Sequence, residues 1–392
     1  MAPIQPQAWM TQTASARVDV PIRRIAATAY TVPTDAPESD ATLEWDETTV
    51  VVVEIEADGV RGLGFSYTGE AAARVIDRRL APAVIGRAAM DIPAAWSAMV
   101  AAVRNVGLPG LAATAISAVD IALWDLKGRL LGLPLVTLLG AARDRVLIYA
   151  SGGFTSYDFD ELGEQLARWV ADGTDQVKIK VGRSPRDDVA RVRAARRAIG
   201  PDVALFVDAN GAYATKQALG LAEEFARLGV SWFEEPVSSY DLDGLRLLRD
   251  RAPVPIEIAA GEYGYDGSYF RRLLAAGAVD VLQADATRCL GISGFLAASA
   301  LAEAFSVPLS AHTAPAVHVH PSCSVPTVRH LEWFHDPVRL ERLLFDGAVE
   351  PERGYLQPDL DRPGLGLELK RADAADYLVY AAKAAKPPMI AP

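Results

Sequence analysis

Val177-Lys178-Ile179-Lys180-Val181, Phe206-Val207-Asp208-Ala209-Asn210, Trp232-Phe233-Glu234-Glu235-Pro236 and Ile258-Ala259-Ala260-Gly261-Glu262 decide how this chain is read. The first is an apolar run carrying two lysines; the other three are apolar runs ending in acids. The acids recur after 26 residues (208 to 234) and 28 residues (234 to 262). A strand, a helix and two loops take roughly 30 residues, so the spacing places one acid at the C-terminal end of each successive strand. In a closed parallel barrel those ends converge on one mouth, where active sites sit. Three carboxylates meeting there repel one another unless a hard divalent cation offsets them, and all-oxygen ligands favour Mg²⁺. Asp208, Glu234 and Glu262 are the expected ligands.

Outward from this centre, strand–helix alternation extends over eight candidate strands, from Val146–Ala150 to His330–Phe334, the pattern of a parallel sheet. The last gap, Ala314 to Arg329, holds Pro315, Pro321 and Pro326 and is expected to be irregular. Before the barrel, residues 21–144 read as an α+β unit. A strand over Pro21–Thr31 and a loop over Pro33–Trp45 lead into a hairpin turning at Asp58-Gly59. Helices are expected over Glu70–Val84, Ile92–Val103 and Leu111–Leu131. The expected division is a disordered tail (1–20), a capping domain (21–144), a (β/α)7β barrel (145–346), and a C-terminal segment (347–392) returning to the cap.

Side chains two apart on a strand face the same way, so Lys178 and Lys180 both point into the mouth. Two neighbouring ammonium groups depress each other's pKa, which makes one available as a base. Asn210 shares the face of Asp208, and Glu235 is expected on the opposite face. The sixth strand offers Asp285, the seventh His312 and the eighth Glu332. A carboxylate against an imidazole fixes its tautomer and raises its basicity. Specificity is expected from the cap, with Trp45, Ser66 and Tyr67 as candidate substrate contacts.

Composition excludes several other classes. The 392-residue chain is 51% hydrophobic with a net charge of −11, which argues against a nucleic-acid partner. No apolar run reaches the roughly 20 residues of a membrane span. The polar N-terminus lacks the features of a signal peptide, so the cytoplasm is the expected location. The only cysteines, Cys289 and Cys323, imply no disulfide framework.

Taken together, Lys-x-Lys, Asp-x-Asn, Phe-Glu-Glu-Pro, Gly-Glu, Asp285 and His312 resemble the enolase superfamily and, within it, the mandelate racemase subgroup. The resemblance runs from about Pro21 to Leu378 and includes Ala118 to Asp125 near the end of the cap. It implies a modified (β/α)7β barrel capped by an α+β domain, Mg²⁺ on the three acids, and a homo-oligomer. It also implies that Lys180, with Lys178 beside it, and His312, paired with Asp285, act on opposite faces of the substrate. Glu332 matches the position that donates to the substrate carboxylate. The implied reaction removes the α-proton of a carboxylate through an enediolate. Gly64 to Gly69 and Ser151 to Phe154 look similar to stretches of acid-sugar dehydratases and cycloisomerases. Dehydration of an acid sugar to a 2-keto-3-deoxy acid is therefore preferred to racemisation, epimerisation or cycloisomerisation. A non-catalytic sugar-acid binding protein is disfavoured, because no acid or lysine of the set is lost.

Overall fold

The computed structural model describes residues 20–381. The tail expected over 1–20, apart from Val20, and the last eleven residues of the C-terminal segment lie outside them. The run Val50 to Val53 explains the first layer. In β2 (Glu44–Ala57), Val50 and Val52 enter the core shared with the barrel, while Val51, Val53 and Ile55 enter a second core under the cap helices. A strand buried on both faces has no polar alternation, and the run Val50 to Val53 has none, alternation returning only from Glu54 to Ala57. β1 (Arg24–Ser39), β2 and β3 (Val60–Tyr67) form an antiparallel sheet, closed on its outer edge by Leu378–Ala381 pairing with β1.

Two sequence expectations need correction. The loop expected over Pro33–Trp45 is mostly strand. After an irregularity between Pro33 and Glu38, Glu38 pairs with Trp45 and Ser39 with Glu44. Only Asp40 to Leu43 turn, with the Asp40 carboxylate accepting from the Thr42 and Leu43 amides. Prolines are compatible with such a strand where it is irregular or unpaired on one side. The segment Ala314 to Arg329 is not irregular either: Pro315–Ser324 is a helix with Pro315 in its first turn and Pro321 inside. Proline is favoured at a helix start, and Pro326 lies beyond the end, so only Pro321 opposes the helix. The helix expected over Glu70–Val84 forms, with a π turn at Ile76–Leu80.

Eight parallel strands form the barrel: β4 (Val146–Gly152), β5 (Gln176–Lys180), β6 (Ala204–Asp208), β7 (Val230–Glu234), β8 (Glu257–Ala260), β9 (Val281–Ala284), β10 (Leu309–Ala311) and β11 (Val328–Phe334). Closure comes from β11 pairing with β4, Leu331 opposite Ile148. A helix fills each of the seven gaps, giving a (β/α)7β barrel beneath an antiparallel cap. Inside, Tyr149, Phe206 and Trp232 pack with His330 in an aromatic layer. Two residues further along the same strands the inward layer becomes charged. Among the described residues no helix is long and apolar enough to cross a membrane.

Helix Leu111–Leu131 ties the cap to the barrel. Its Ser117 hydroxyl accepts from the Leu290 and Gly291 amides, and Asp120 accepts from the amide and hydroxyl of Ser293. These contacts satisfy the start of barrel helix Gly291–Ala304. Across the same helix lies Gly64, where an added Cβ would sit 2.4 Å from the Ala118 carbonyl oxygen and Ala122 nitrogen. Both are backbone atoms that cannot yield cheaply, so Gly64→Ala should destabilise the protein by about 1–3 kcal/mol, read as a lower thermal midpoint. Burial outweighs the Ser293 hydrogen bonds and lifts Asp120 to about 7, from an ordinary value of 3.8. The folded state therefore keeps a proton that the unfolded chain releases above about pH 4. Stability from this group is full at low pH and is lost as pH rises towards 7. Asp120→Asn should flatten that decline in denaturant titrations between pH 4 and 7.

Candidate active site

The charged layer follows from strand register. Lys180 lies opposite Asp208, and Asp208 opposite Glu234, on neighbouring strands. Side chains at paired positions stand side by side, so the inward faces of β5, β6 and β7 bring these groups together. Lys180 Nζ is 2.5 Å from Asp208 Oδ2. Lys178, entirely buried, lies 2.7 Å from both Glu234 Oε1 and Glu332 Oε1. Its ammonium also lies over the Tyr149 ring. On the other side of the mouth His312 is held from two directions. Nδ1 donates to Asp285 Oδ2 at 3.0 Å, and Nε2 faces Glu262 Oε2 at 2.7 Å and Glu332 Oε2 at 3.5 Å. Asp285 is itself oriented by the amide and hydroxyl of Thr287.

The electrostatics differ from the simple Lys-x-Lys expectation. Burial depresses the Lys180 ammonium and Lys178 adds to that, but Asp208, Glu262 and Glu234 together outweigh both and the net shift is upward. Lys178 also rises, because Glu234 and Glu332 outweigh its burial. Burial pushes the His312 imidazole down, yet Glu262 and Glu332 lift it to about 10. Burial pushes Glu332 up, but Lys178, His312 and Lys180 together hold it down to about 2, while burial and Asp208 raise Glu234 to about 7. Every cation here is matched to a carboxylate within a few ångströms.

A cavity of about 220 Å³ opens above this layer, between barrel and cap. Lys180, Asn210, Glu262, Asp285 and His312 line its floor. Trp45 and Tyr67 line it from the cap, although the Trp45 indole N–H donates to Glu38 and the Tyr67 hydroxyl to the Pro337 carbonyl. Lys178, Asp208, Glu234 and Glu332 lie one step deeper and do not line it. Ser66 departs from expectation. Its hydroxyl is buried and donates to the Thr287 carbonyl at 2.6 Å, so it joins cap to barrel and does not face the cavity. The strand's alternation is what turns it away from Tyr67.

Sequence reasoning missed four contributors. Glu235 does not follow the parity that would turn it away from Glu234: its φ of 36° breaks the strand alternation, and it is buried near Glu262 and Asp208. Its carboxyl is pushed well up by burial, then by Glu262 and Asp208. Arg288 and Tyr263 line the floor, with the guanidinium over the ring and near Glu262 and Asp285. His318 Nδ1 donates to the Thr313 carbonyl, and its Nε2 accepts from the Ala286 amide. It thus braces the left-handed turn at Thr313 and Ala314 (φ 47° and 44°) that follows His312. Positive φ in non-glycine residues has no signature in a single sequence. His320 and His335 stay outside the floor. His320 accepts from the Val136 amide, and His335 pairs with Asp35.

The donor set suits a hard cation. Asp208, Glu234 and Glu262 present buried carboxylates on three neighbouring strands, and Asn210 Oδ1 and Glu235 Oε1 nearby are buried without a partner. Over the floor and the buried layer beneath it, Asp208, Glu234, Glu235, Glu262, Asp285 and Glu332 outnumber Lys178, Lys180, Arg288 and His312, the imbalance that a divalent ion corrects. The carboxylates of Asp208, Glu234 and Glu262 point to Lys180, Lys178 and His312 in this arrangement. Among the described residues, the three-group cluster with donor atoms within 4.8 Å of one another is Asp35, Glu38 and His335, at the cap edge.

Comparison with known proteins agrees with this architecture. Residues 161–374 match the enolase C-terminal domain-like family. Residues 24–140 match the mandelate racemase/muconate lactonizing enzyme N-terminal domain. A mandelate racemase/muconate lactonizing enzyme-like protein from Rubrobacter xylanophilus is 54% identical, with a TM-score of 0.90 over 92% of this chain and 100% of that one. L-talarate/galactarate dehydratase of Salmonella typhimurium is 33% identical over 86% of each chain. A structure of L-talarate dehydratase from Polaromonas sp. JS666 complexed with Mg and L-glucarate is 32% identical. It superimposes with a TM-score of 0.84, covering 93% of this chain and 100% of that one. Other relatives at 31–32% identity include a D-galactarolactone cycloisomerase and a racemase with bound magnesium. The chain belongs to the mandelate racemase/muconate lactonizing enzyme subgroup of the enolase superfamily.

Proposed function

We propose that this protein is a Mg²⁺-dependent acid-sugar dehydratase that removes the α-proton of a sugar carboxylate and expels a β-hydroxyl, giving a 2-keto-3-deoxy acid. The observation that carries the reading is the pairing of two acid/base groups across one floor: Lys180 on β5, and His312 with Asp285 behind it. The dehydratases among the relatives favour this outcome. Racemisation and cycloisomerisation share the same floor and remain the second reading, supported by the relatives that carry those names.

Asp208, Glu234 and Glu262 would hold Mg²⁺. When bound, the ion supplies Lewis-acid stabilisation of negative charge developing on the substrate carboxylate. The chain's own groups do the proton work. With Asp208 committed to the ion, burial and Lys178 would lower the Lys180 ammonium, so that Nζ, as the neutral amine, takes the α-proton, its flexible stem letting it leave Asp208 for the substrate. His312 Nε2, with both ring nitrogens facing carboxylates, is held as an imidazolium that can give its proton to the departing hydroxyl. Asp285 fixes the ring so that Nε2 faces the cavity. Lys178 stays buried between Glu234 and Glu332 and orients both.

Lys180→Met and His312→Asn should each lower turnover by at least about 10²–10⁴-fold without changing the thermal midpoint by more than a few degrees. Full turnover in either variant would remove that residue from the mechanism. Turnover is to be read by proton NMR in D₂O with a set of acid sugars. A new methylene signal beside a keto group marks dehydration, whereas loss of the α-proton signal alone marks racemisation or epimerisation. Mg²⁺ affinity by calorimetry should fall at least about tenfold in Asp208→Asn and in Glu262→Gln. Activity that survives chelation would sink the role given to the ion.

A further inference from the structure

The cavity has two unlike ends. Its cations, Lys180, His312 and Arg288, all lie on the barrel floor against acids. The cap end presents Glu38, Asp40 and Asp336, with no lysine or arginine among the described residues that line that end. Glu38 is completely buried there. Its Oε2 accepts the Trp45 indole N–H at 2.9 Å, while Oε1 has no partner among the described residues. A buried oxygen left unpaired in a cavity wall is costly unless a ligand satisfies it.

The carboxylates at this end are each engaged by the protein, and among the described residues no cation lining it is free. Asp336 accepts the Thr48 hydroxyl at 2.6 Å and is neutralised by Arg339 at 2.7 Å. Arg339 does not line the cavity; its guanidinium also donates to the Pro33 carbonyl. Asp40 Oδ1 is occupied by its own turn, accepting from Thr42 and Leu43. Glu38 is raised to about 9 by burial and by Asp336, so at neutral pH it carries a proton and can both donate and accept. Trp45 and Phe334 supply apolar faces beside these oxygens. A wall of acceptors and neutral hydroxyl partners beside aromatic rings suits an uncharged polyol end. A second carboxylate placed there would be desolvated beside Asp336 and Asp40 with no cation to meet it.

Resting on the reaction proposed above, we infer that the substrate is a monocarboxylic polyhydroxy acid, an aldonate. Its carboxylate end sits on the barrel floor and its uncharged hydroxyl end meets Glu38 and Asp336 at the cap. Dicarboxylic sugar acids are disfavoured by the same wall. The test is calorimetry on the full Mg²⁺-loaded chain with matched six-carbon pairs, galactonate against galactarate and gluconate against glucarate. The preferred aldonate should bind at least about tenfold more tightly than its diacid, equivalent to 1.4 kcal/mol. Diacids that bind as tightly or more tightly overturn the inference.

Asp336→Asn leaves Arg339 without its counter-charge and should shift the affinity ratio at least about tenfold towards diacids; an unchanged ratio overturns the charge argument. Glu38→Leu removes the unpartnered oxygen and should weaken aldonate binding about tenfold, with Glu38→Gln restoring most of it. Equal aldonate affinity in Glu38→Leu and wild type overturns the role of Glu38. α-Proton exchange in D₂O on the same acids separates the two readings. Its absence for every acid that binds fails the reaction, while the affinity order alone decides the substrate class.

Discussion

Buried charge compensation in one layer of the barrel is the constraint on which the rest of this structure depends. Lys178 reaches two carboxylates at 2.7 Å, Lys180 reaches Asp208 at 2.5 Å, and His312 sits between Asp285 and Glu262. Each of these charges would be expensive alone in such surroundings. The layer is tolerable because the strands fix all of them at once. It rests on packed aromatic rings that leave no room for rearrangement below, with Tyr149, Phe206 and Trp232 in mutual contact.

That constraint explains the cap. A charged floor open to bulk water would have its interactions weakened by the high dielectric. The cap covers it with a sheet buried on both faces and anchors itself through groups that also complete barrel elements. Ser66 bonds the Thr287 carbonyl, and Thr287 in turn holds Asp285. Thr48 bonds Asp336, and the Tyr67 hydroxyl bonds Pro337. Under the proposed reaction, specificity and catalysis are divided along the cavity: the strand ends present cations and carboxylates for the reacting end, and the cap with the Phe334–Asp336 corner presents hydrogen-bonding groups and aromatic faces for the other.

The same division separates what could be read from the chain from what could not. The barrel was legible because period and position coincide. An acid every 26 to 28 residues, each ending an apolar run, has few explanations other than successive strand ends. The Lys-x-Lys pair and the Asp285–His312 pairing follow from the same geometry. Reading failed where local chemistry is ambiguous. Pro33 to Ser39 looks like a loop by composition, yet pairing with β2 extends it as a strand. Pro315 and Pro321 look like breakers, yet one sits where helices begin. Glu235 was assigned to the wrong side because strand parity ends where φ turns positive. Ser66 and Tyr67 are neighbours, yet only Tyr67 lines the cavity.

The sequence by itself determined the fold class, the order of the strands and the identity of the charged groups at their ends, because hydrophobic periodicity and spacing are local properties of the chain. Tertiary structure alone decided which groups neutralise which. Lys180 is raised and not lowered because Asp208, Glu262 and Glu234 together outweigh burial and Lys178, and their approach depends on barrel register. Tertiary structure also decided the character of the cavity's cap end. Glu38, Thr48 and Asp336 are separated by up to 298 positions in the sequence and meet only when the cap closes on the barrel. Long-range electrostatics and burial are sums over the folded chain, and no window of sequence contains them.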